Sequence, residues 1–579
     1  MFALMKITRY IPGIALLFHF TFVCGQKSIP TDYFNSPLGI ELSVTGSFGE
    51  IRPNHFHSGV DFKVQGKEGL PVYAVADGWV SRIKISPVGF GNALYIDHPN
   101  GFTSVHGHLF GYNDTIASYA HKMQYVRKSF EVDLFPLVDH DTIWIKKGDI
   151  IGYAGNSGSS FGAHLHFELR NTVTERIINP LLFGFDCKDS FAPTINFIKV
   201  YPANKNSFVR GCNQPGKLYV KKNANGEYDL SGGDTLIAWG DLGFGVQAFD
   251  YLYSSADRNG WYSIKMYFDK ALFFSMELDS FAFSETRFIN ASLDYNDSYL
   301  NGSRIIQSVK LPGNELSLHK SGKGNGIVNL NDGKLHEVVI SVGDMSGQQA
   351  ILRFHVQSSG TAARIDIPSP LVPDTVILFP YSRENKLLTP EVTLLIPQGS
   401  LFDDTWFTYS RLPRRKGTFS ARHVLNQPEI PLKGKMTVSI KAELLPSRLR
   451  SKALMARIDG EGKMHSAGGG YANGFVTAET NMFDVYAIVA DTVPPRIKLV
   501  RDRSKHKTSL RFTVSDNFSG IDKYSAEING QWVLLQWDPK NDLMIYKYDE
   551  MVKPGKNTFK LVLVDKKGNK SSYSTFLKK

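Results

Sequence analysis

Residues 155–170 read GNSGSSFGAHLHFELR, and this stretch decides how the rest of the chain is interpreted. Its glycines and serines predict a turn, and the residues after the turn predict a strand. Alternate side chains of a strand share one face, so His164 and His166 project into the same space. One of these imidazoles can then bind a metal ion while the other faces a substrate.

Two more histidine motifs precede this stretch, FHSGVDF at 56–62 and HGHL at 106–109. His57 and Asp61 are four residues apart, a spacing that returns both side chains to one face of a slightly twisted strand or of a strand-to-turn segment. A divalent metal explains the motifs together. Two imidazoles, one carboxylate and a water form a tetrahedral catalytic zinc site with ligand distances of about 2.0–2.2 Å.

Together, the three motifs resemble those of the lysostaphin and LytM type of zinc endopeptidases, over about residues 45–175. The resemblance implies a small antiparallel β fold whose groove binds the cross-linking peptides of bacterial peptidoglycan. It implies one Zn²⁺ held by His57, Asp61 and His166, with His108 and His164 as the catalytic pair. The predicted function is therefore that of a zinc metalloendopeptidase, a peptidoglycan hydrolase in which a zinc-bound water attacks the peptide bond.

The sequence departs from the usual family pattern at two positions. His106 stands where relatives often have tyrosine, and Ala163 stands where they often have proline. Neither position is a ligand or a catalytic residue. The departures therefore put the shape of the groove in question more than the activity.

Residues 110–146 are an addition to the compact family pattern. The capping candidates Asn113 and Asp114 precede apolar residues at helical spacing, which predicts a helix between Asn113 and Lys128. The predicted apolar stripe consists of Ile116, Tyr119, Met123 and Val126. Because the addition starts just after His108, we expect it to form one wall or a lid of the groove, with a solvated decoration as the alternative.

Other enzyme classes fit the motifs less well. Gly158, Ser160 and Gly162 match the GxSxG string of serine hydrolases, but a nucleophile elbow needs a helix after it and this stretch leads into a strand. Two histidines and a carboxylate are also the iron ligands of nonheme iron oxygenases. In those enzymes the first histidine and the carboxylate are usually closer in sequence than His57 and Asp61. Three histidines outside the motifs are interpreted as structural: His98, His121 and His140. His55 is not included in the predicted site, because its spacing to Asp61 does not match the family pattern.

Two nonenzymatic functions remain as alternatives. In the first, the protein is a regulator of other cell-wall hydrolases that retains the peptidase fold. In the second, it is a wall-binding scaffold or adhesin in which the β-sandwiches dominate. Regulators that resemble this family often lack metal ligands, whereas this chain has all three.

The first 25 residues predict export. Lys6 and Arg9 precede an apolar run that ends at Val23, which is typical of a signal peptide cleaved after Gly25. A lipoprotein anchored through Cys24 ranks lower, because the residue before that cysteine is normally small. The expected location is the periplasm, the cell envelope or the extracellular space.

The chain is basic, with a formal net charge of +11 that falls to +9 when residues 1–25 are removed. A basic balance favours residence near polyanions such as cell wall, anionic lipid or nucleic acid. The family resemblance implies peptidoglycan as the partner, and we expect no nucleic acid partner. The densest basic region is interpreted as a solvated face and contains Arg411, Arg414, Arg415, Lys416, Arg448, Arg450 and Lys452.

A chain of 579 residues is expected to form about three to five domains. The predicted fold class is mainly β: a small antiparallel β peptidase domain with a helical insertion, followed by immunoglobulin-like β-sandwich domains. The predicted divisions are a signal peptide (1–25), the LytM-like zinc endopeptidase domain (26–187), an enlarged immunoglobulin-like sandwich (188–358), a β-sandwich of uncertain type (359–490) and an immunoglobulin-like sandwich (491–579). Envelope proteins are potential partners of the sandwiches.

The first and last of these sandwiches look like copies of one module. Pro193, Asp241 and Asp344 in the first are matched with Pro495, Asp516 and Asp565 in the second. Apolar alternation at Leu510, Phe512 and Val514 and at Phe559, Leu561 and Leu563 predicts two packed sheets. After cleavage only Cys187 and Cys212 remain, which fits one disulfide in an oxidising compartment or two unpaired thiols.

Overall fold

The computed structural model of the protein describes residues 29–136, 142–251, 258–359, 375–500 and 508–578. Within these residues strands far outnumber helices, so the prediction of a mainly β protein is confirmed. None of the described helices is long and apolar enough to cross a lipid bilayer. The predicted signal peptide and His140 lie outside the described residues.

The N-terminal unit, residues 29–187, contains a large antiparallel sheet in the order β1-β4-β13-β8-β7-β6-β10 and a small sheet in the order β5-β12-β9. A short 3₁₀ helix, Pro180–Phe183, closes the unit. Its elements are β1 Val44–Gly46, β2 Ile51–Arg52, β3 His55–Phe56, β4 Val60–Lys63, β5 Pro71–Tyr73, β6 Gly78–Ile85, β7 Asn92–Asp97, β8 Phe102–Gly107, β9 Gly111–Tyr112, α1 Asp114–Arg127, β10 Val132–Leu134, β11 Trp144–Ile145, β12 Ile150–Tyr153, β13 His164–Asn171 and β14 Ile177–Ile178.

Strand register brings the histidine motifs together. β13 lies between β4 and β8, and both pairings are antiparallel. His166 is directly opposite Asp61 on β4 and opposite Gly107 on β8. Directly opposite residues of antiparallel strands have Cβ atoms about 4.5–5.5 Å apart. Three motifs that are distant in sequence therefore meet at the end of one sheet.

The predicted helix is present as α1. The side-chain oxygen of Asn113 accepts a hydrogen bond from the backbone N–H of Ile116 at 3.0 Å, which caps the first turn. The helix ends at Lys128, whose backbone is left-handed with φ 47°. Ile116, Ala120 and Gln124 are buried, whereas Val126 is exposed. Tyr119 and Met123 of the predicted stripe are half-buried against the same core, so the prediction is wrong only at Val126. The helix packs on β9 and β10.

The second unit follows as residues 188–359. All of its described strands except β23 form one connected sheet, in which the long strand β19 pairs with both β15 and β28. Its elements are β15 Thr194–Pro202, β16 Phe208–Val209, β17 Gly216–Lys222, β18 Tyr228–Leu230, β19 Thr235–Tyr251, β20 Arg258–Asn259, β21 Ser263–Phe268, β22 Ala271–Glu277, β23 Ser280–Phe281, a 3₁₀ helix Phe283–Phe288, α2 Ile289–Ser292, α3 Tyr295–Asn301, β24 Ile306–Gln307, β25 His319–Ser321, β26 Val328–Leu330, β27 Leu335–Gly343 and β28 Gln349–Ser358.

The first two units share one apolar core. β14 of the N-terminal unit pairs with β23 of the second unit. The ring of Phe281 lies 5.0 Å from that of Phe48 and 5.1 Å from that of Phe56. Residues on both sides of the predicted domain boundary at residue 187 therefore belong to one continuous hydrophobic core.

The third unit, residues 375–491, has two sheets, β29-β32-β33-β39-β35-β36 and β30-β31-β34-β38-β37. It packs around a core of its own. Its elements are β29 Thr375–Phe379, β30 Asn385–Leu388, β31 Val392–Ile396, β32 Thr405–Leu412, β33 Arg422–Leu425, β34 Pro431–Lys441, a 3₁₀ helix Ser447–Lys452, β35 Ala453–Ile458, β36 Met464–Gly468, β37 Gly470–Ala472, β38 Phe475–Met482 and β39 Asp484–Ala490.

The last unit, residues 492–578, also has two sheets, β40-β41-β45-β44 and β43-β42-β46-β47. All six alternating apolar residues named above for this unit are buried in its core, as the two-sheet pattern predicts. The immunoglobulin-like assignment stays a prediction. Its elements are β40 Arg496–Leu499, β41 Ser509–Ser515, β42 Ile521–Ile528, β43 Gln531–Val533, β44 Gln536–Asp538, a 3₁₀ helix Pro539–Asn541, β45 Leu543–Lys547, β46 Lys556–Asp565 and β47 Lys570–Lys578.

The structure corrects one position of the predicted repeat. Asp241 accepts hydrogen bonds from Asn204 and Asn329 and lies apart from Asp344. Asp250 instead corresponds to Asp516, because each lies at the end of a strand and joins a cluster of three aspartates. The mismatch arises because β19 is 17 residues long and spacing alone could not show where along it the equivalent aspartate lies.

The two cysteines are free thiols, which is the second of the two predicted alternatives. The backbone of Cys187 forms an isolated β-bridge with that of Leu42, and the backbone of Cys212 forms one with that of Val209. Burial, with the nearby carboxylate of Asp186, raises the pKa of the Cys187 thiol to about 12. Cys187 is therefore protonated and unreactive at neutral pH.

His106 gives the N-terminal unit a predicted sensitivity to acid. The side chain is fully buried on β8, and burial, followed by the charge of His98, lowers its pKa to about 3. The unfolded chain has the ordinary histidine pKa of about 6.5, so it binds a proton that the folded protein does not bind below that pH. This histidine should therefore lower the free energy of unfolding by about 2 kcal/mol between pH 7 and pH 5.

His106→Leu should remove that contribution and flatten the pH dependence of unfolding by the same amount. The measurement is urea unfolding of residues 26–579 at pH 7 and pH 5. His121→Leu, which replaces an exposed histidine of α1, is the control and should leave the dependence unchanged. Equal pH dependence in His106→Leu and the unsubstituted protein would contradict this account of His106.

Candidate metal centre and active site

Three side chains converge at the end of β4 and β13. His57 Nε2 and His166 Nδ1 both approach Asp61 Oδ1, at 3.0 Å and 2.8 Å. The two ring nitrogens are 3.0 Å apart. All three side chains are buried. The predicted ligands of one metal ion therefore meet, each through a single atom.

Backbone carbonyls fix which nitrogen of His57 is available. Its Nδ1 lies 2.8 Å from the carbonyl oxygen of Ser47. A carbonyl oxygen only accepts hydrogen bonds, so Nδ1 carries the proton and Nε2 presents its lone pair to the centre. Burial, despite the nearby Asp61 carboxylate, lowers the pKa of His57. The imidazole is thus held in the neutral form that metal binding requires.

Asp61 is held as a carboxylate. Burial would raise its pKa, but the electrostatic interaction with His57, followed by the close contacts with His164 and His166, holds the pKa well below its usual range. Its second oxygen, Oδ2, accepts a hydrogen bond from Arg52 Nη2 at 2.9 Å. Arg52 therefore occupies Oδ2 and leaves Oδ1 directed toward the two histidines.

Glu168 orients His166 from behind. It follows His164 and His166 at alternate positions of β13 and is fully buried. His166 Nε2 donates to Glu168 Oε1 at 3.0 Å, and Arg170 pairs with the other carboxylate oxygen at 2.5 Å. Against the effect of burial, the charge of Arg170 and the hydrogen bond from His166 lower the pKa of Glu168 to about 2. With its Nε2 occupied in this way, His166 presents Nδ1 to the centre.

The two predicted catalytic histidines flank the ligands. The rings of His108 and His164 are 4.8 Å apart. His108 Nδ1 donates to the Ser157 carbonyl at 2.8 Å, and His164 Nδ1 donates to the Gly162 carbonyl at 2.9 Å. Both Nε2 atoms are therefore free of a proton, and that of His164 is 3.4 Å from Asp61 Oδ1. Two proton acceptors thus sit beside the candidate metal position.

His108 owes its position to an unusual backbone conformation. It follows the last residue of β8 and has a left-handed backbone with φ 58°. Non-glycine residues adopt this conformation infrequently, and it often marks functional sites. Here it turns the ring out of the sheet and toward His164. Burial, followed by the nearby His166 and His164, lowers the pKa of His108 to about 3.

The turn before β13 forms the rim of the site. Residues 159–164, together with Arg52, Asp61 and His108, line a pocket of about 450 Å³. Phe161 at the tip of the turn is fully exposed. Ser160 donates to the Gly162 carbonyl, and a strand follows it rather than a helix. The turn therefore shapes the pocket, and the geometry of a nucleophile elbow is absent at this described segment.

The last unit contacts this turn from the outside. Lys540 Nζ donates to the carbonyl oxygens of Asn156 and Ser160, the latter at 2.8 Å. Tyr125 of α1 packs edge-on against Trp532 at 5.2 Å and donates to Asp549. Between these contacts lies a cleft of about 700 Å³ that α1, the turn and the last unit line together. The helical addition therefore borders a cleft next to the pocket, while its role as a lid stays a prediction.

All five site residues predicted from the sequence are brought together by the structure. His55, which was left out, is exposed and bonds only to the Pro53 carbonyl among the described groups. His98 is buried between Asp77 and Ser104, as a structural histidine should be. The prediction did not identify Glu168, Arg52 or Lys540 as parts of the site. The alternation of His164, His166 and Glu168 along the strand is the signal that could have revealed Glu168.

Glu168→Gln should weaken zinc binding by about 10- to 100-fold, because the partner that orients a ligating histidine also raises its basicity. The substitution keeps an acceptor of similar shape but removes the charge. Competition with a chromophoric zinc chelator measures the affinity. Glu175→Gln, at an exposed glutamate just beyond β13, is the control and should bind zinc normally. Equal affinity in the two variants would contradict the role assigned to Glu168.

Lys540→Ala should lower kcat/KM by roughly 10-fold without changing zinc content, because Lys540 holds the turn whose carbonyls fix both catalytic histidines. Steady-state hydrolysis of a cross-linked peptide measures the effect. Lys547→Ala removes the same charge from the same cleft without touching the turn, so it serves as the control. An increase in kcat/KM would show that the last unit obstructs the pocket. An unchanged value would show that the contact between Lys540 and the turn does not affect catalysis.

Comparisons with known families agree with the geometry of the site. Residues 55–129 match the sequence profile of Peptidase family M23, and residues 376–491 match that of a Zu5-like domain. An uncharacterized metalloprotease of Haemophilus influenzae is 32% identical over 133 residues, which are 23% of this chain and 21% of the relative. The DD-carboxypeptidase/endopeptidase Mpg of Neisseria meningitidis is 29% identical over 125 residues, 22% of each chain. The chain thus spans about a fifth of the length of these relatives.

Solved structures of peptidase domains also match a part of the chain. The catalytic domain of the prophage-encoded M23 protein EnpA from Enterococcus faecalis, solved as a point mutant, is 23% identical over 27% of this chain and 98% of its own, with a TM-score of 0.19. The catalytic domain of lysostaphin from Staphylococcus simulans is 24% identical over 24% of this chain and 90% of its own, with a TM-score of 0.18.

Proposed function

Because the chain carries a domain of Peptidase family M23, of the LytM and lysostaphin type, we propose that it is a zinc metalloendopeptidase that hydrolyses the peptide cross-links of bacterial peptidoglycan. The observation that supports this proposal most strongly is the convergence of His57 Nε2, Asp61 Oδ1 and His166 Nδ1 beside two unprotonated histidine nitrogens. A cluster of side chains that only stabilised the fold would not require the second pair of histidines, His108 and His164.

The donor set fits zinc. Two imidazole nitrogens and one carboxylate oxygen are a typical catalytic zinc set, which leaves a fourth position open. Ligand atoms around tetrahedral zinc are about 3.3 Å apart at ordinary bond lengths, and here they are 2.8 to 3.0 Å apart. A small outward shift of these side chains would therefore accommodate the ion. Iron is the weaker alternative, since nothing in this context indicates oxygen chemistry.

Zinc, when bound, would polarise the scissile carbonyl and make a water nucleophilic at neutral pH. The chain's own residues would handle the proton and the developing charge. His108 and His164 each present an unprotonated Nε2, so either can accept the proton of the attacking water and pass it to the leaving amine. Once protonated, either can stabilise negative charge on the former carbonyl oxygen. Ser157 and Gly162 hold the rings in place through Nδ1.

The substrate class is inferred from the relatives. A relative that shares the domain is named as a DD-carboxypeptidase/endopeptidase. The pocket opens at the molecular surface beside the exposed Phe161, which suits entry of a polymer side chain. A basic mature protein favours a polyanionic wall. We therefore propose export to the cell envelope or beyond, with peptidoglycan as the partner, no nucleic acid partner, and envelope proteins as potential partners of the β-rich units.

The test is mass spectrometry of fragments released from purified peptidoglycan by the zinc-loaded mature chain. The proposal predicts fragments with new amino and carboxyl termini at the cross-link and with intact glycan. A regulator of other hydrolases would release nothing by itself and would increase release when a wall hydrolase is added. Cleavage of glycan bonds, or no cleavage in either case, would refute the proposed function.

A further inference from the structure

A second group of acidic side chains lies far from the histidine centre. Asp189, Asp250 and Asp344 each place one carboxylate oxygen within 4.8 Å of the others. Asp189 belongs to the link between the first and second units, Asp250 is the penultimate residue of β19, and Asp344 follows β27. The three come from separate parts of the chain, so the fold and not local sequence assembles them. We refer to them as the junction triad.

Each member of the junction triad uses one oxygen to cap its own turn. Asp189 Oδ1 accepts from the backbone N–H of Phe191, and Asp250 Oδ1 accepts from that of Tyr251. Asp344 Oδ1 accepts from the backbone N–H of Gln348 at 2.8 Å. The turns thus fix the position of every carboxylate. They do not account for the second oxygens.

Two of the second oxygens are buried without a hydrogen-bond partner. These are Asp344 Oδ2 and Asp189 Oδ2, when partners are sought among the described residues. Asp344 is only 4% exposed. A buried carboxylate oxygen without a partner destabilises the fold, because the loss of its hydration is not compensated. In native proteins such atoms usually contact an ion or water.

The carboxylates of the junction triad repel one another. Asp189 and Asp344 both disfavour a negative charge on Asp250. Burial, followed by the charge of Asp189, raises the pKa of Asp250 to about 7. Burial likewise raises the pKa of Asp189 to about 6, with a contribution from Asp344. A cation between the three carboxylates would offset this repulsion.

We propose that the junction triad binds a divalent cation that prefers oxygen ligands, and that this ion is calcium. The triad offers only oxygen donors, which disfavours zinc and other metals that prefer nitrogen or sulfur. Calcium accepts six to eight oxygens at about 2.3–2.6 Å in flexible geometry, so carboxylates from three separate segments suit it. Asn259 is buried and directly opposite Asp250 in the β19 and β20 pair, so its side chain is on the same face of the sheet as that of Asp250.

The bound ion would fasten the link to the second unit. Asp189 lies two residues after Cys187, whereas the other two members are fixed on the sheet of the second unit. Binding would therefore hold the link at residues 188–193 against that sheet. This site is independent of the catalytic proposal, because it shares no residue with the histidine centre.

The last unit contains a related cluster that serves as an internal comparison. Asp491, Asp516 and Asp565 also meet within 4.8 Å, and the backbone N–H of Asn569 caps Asp565 as that of Gln348 caps Asp344. Here, however, Asp491 Oδ2 accepts from Ser519 N and Asp565 Oδ2 accepts from Asn569 Nδ2. Among the described residues, Asp516 Oδ1 is the one oxygen of this cluster that is buried without a hydrogen-bond partner, and Asp516 itself is half-buried. The junction triad has two such oxygens, one of them on the buried Asp344, so the proposal is confined to the junction triad.

The test measures calcium binding by the full mature protein, stripped of divalent ions and reloaded with one equivalent of zinc. Equilibrium dialysis at about 1 mM calcium, a concentration typical for extracellular modules, counts bound ions. Asp250→Asn and Asp344→Asn should each bind one calcium fewer per chain than the unsubstituted protein. Asp241→Asn, on the same strand but outside the triad, is the matched control and should bind as the unsubstituted protein does. Equal binding by all four proteins, or none by the unsubstituted protein, would overturn the proposal.

Thermal unfolding measurements distinguish the loss of the calcium site from a defect in folding. Calcium should raise the Tm of the unsubstituted protein and of Asp241→Asn, and should not raise that of either triad variant. Without calcium, Asp250→Asn should unfold at the same or a higher temperature, since it removes a repelling charge. A triad variant that unfolds at a lower temperature in calcium-free buffer yet retains the calcium-dependent rise in Tm would show that the aspartates are structural, and the proposal would fail.

Discussion

Replacing His166 with alanine should remove zinc and hydrolysis together. His166 Nδ1 is 2.8 Å from Asp61 Oδ1 and 3.0 Å from His57 Nε2, so it supplies one of the three donors that converge among the described residues. Two donors hold zinc far less tightly than three. We expect zinc content to fall from one per chain to below about one tenth, and the rate to fall by roughly 1,000-fold or more. His57→Ala and Asp61→Ala should behave alike.

Metal analysis and peptide hydrolysis on each purified variant check this expectation. His55→Ala is the matched control, because it removes an exposed imidazole two residues from His57 without touching the centre. The control should keep both zinc and activity. Full hydrolysis by His166→Ala would show that the assigned ligands are wrong. Loss of both properties in His55→Ala would show that the centre extends beyond the three converging residues.

Replacing His108 or His164 with alanine should instead leave zinc bound while the rate falls by about 100- to 10,000-fold. Neither ring contributes to the converging ligand atoms, and both rings are fixed through Nδ1 to backbone carbonyls. Their loss removes a proton acceptor and a source of charge stabilisation but no ligand. Zinc content and kcat measured on the same preparations separate this outcome from that of the ligand variants.

The pH dependence sharpens this prediction for His108. Burial, followed by the neighbouring His166 and His164, keeps its pKa at about 3, so the ring is neutral at every pH above about 4. His108→Ala should therefore lower the rate by the same factor at pH 6 and at pH 8. A defect that disappears at pH 6 would show that His108 is protonated there and does not act as a base. Loss of zinc in His108→Ala would reassign it as a ligand.

Local sequence patterns predicted the centre because each motif is short and sits on one strand. The alternation of His164 and His166 follows directly from strand geometry, and the helix α1 follows from its spacing and its cap. The burial of His166 opposite Asp61 depends on register between β4 and β13, which no single motif contains. The resemblance to a known family supplied that pairing.

Contacts between distant segments could not be predicted. Lys540 reaches the turn at Ser160 across 380 positions of sequence, and nothing in its local surroundings marks it. The predicted stripe of α1 failed at Val126 for a similar reason, since the packing of β9 and β10 selects the buried face. Asp250 was missed because the length of β19 was unknown. Spacing arguments therefore hold within an element and weaken across an insertion.

The measurement that tests the central claim most directly is a zinc titration of the metal-free mature protein, followed by hydrolysis of a defined cross-linked peptide. The account predicts no hydrolysis without zinc, a rate that rises in proportion to zinc, and a plateau at one equivalent per chain. It also predicts that His57→Ala shows no rise over the same range. Hydrolysis by the metal-free protein, or a protein that binds one zinc and still cuts no peptide, would contradict it.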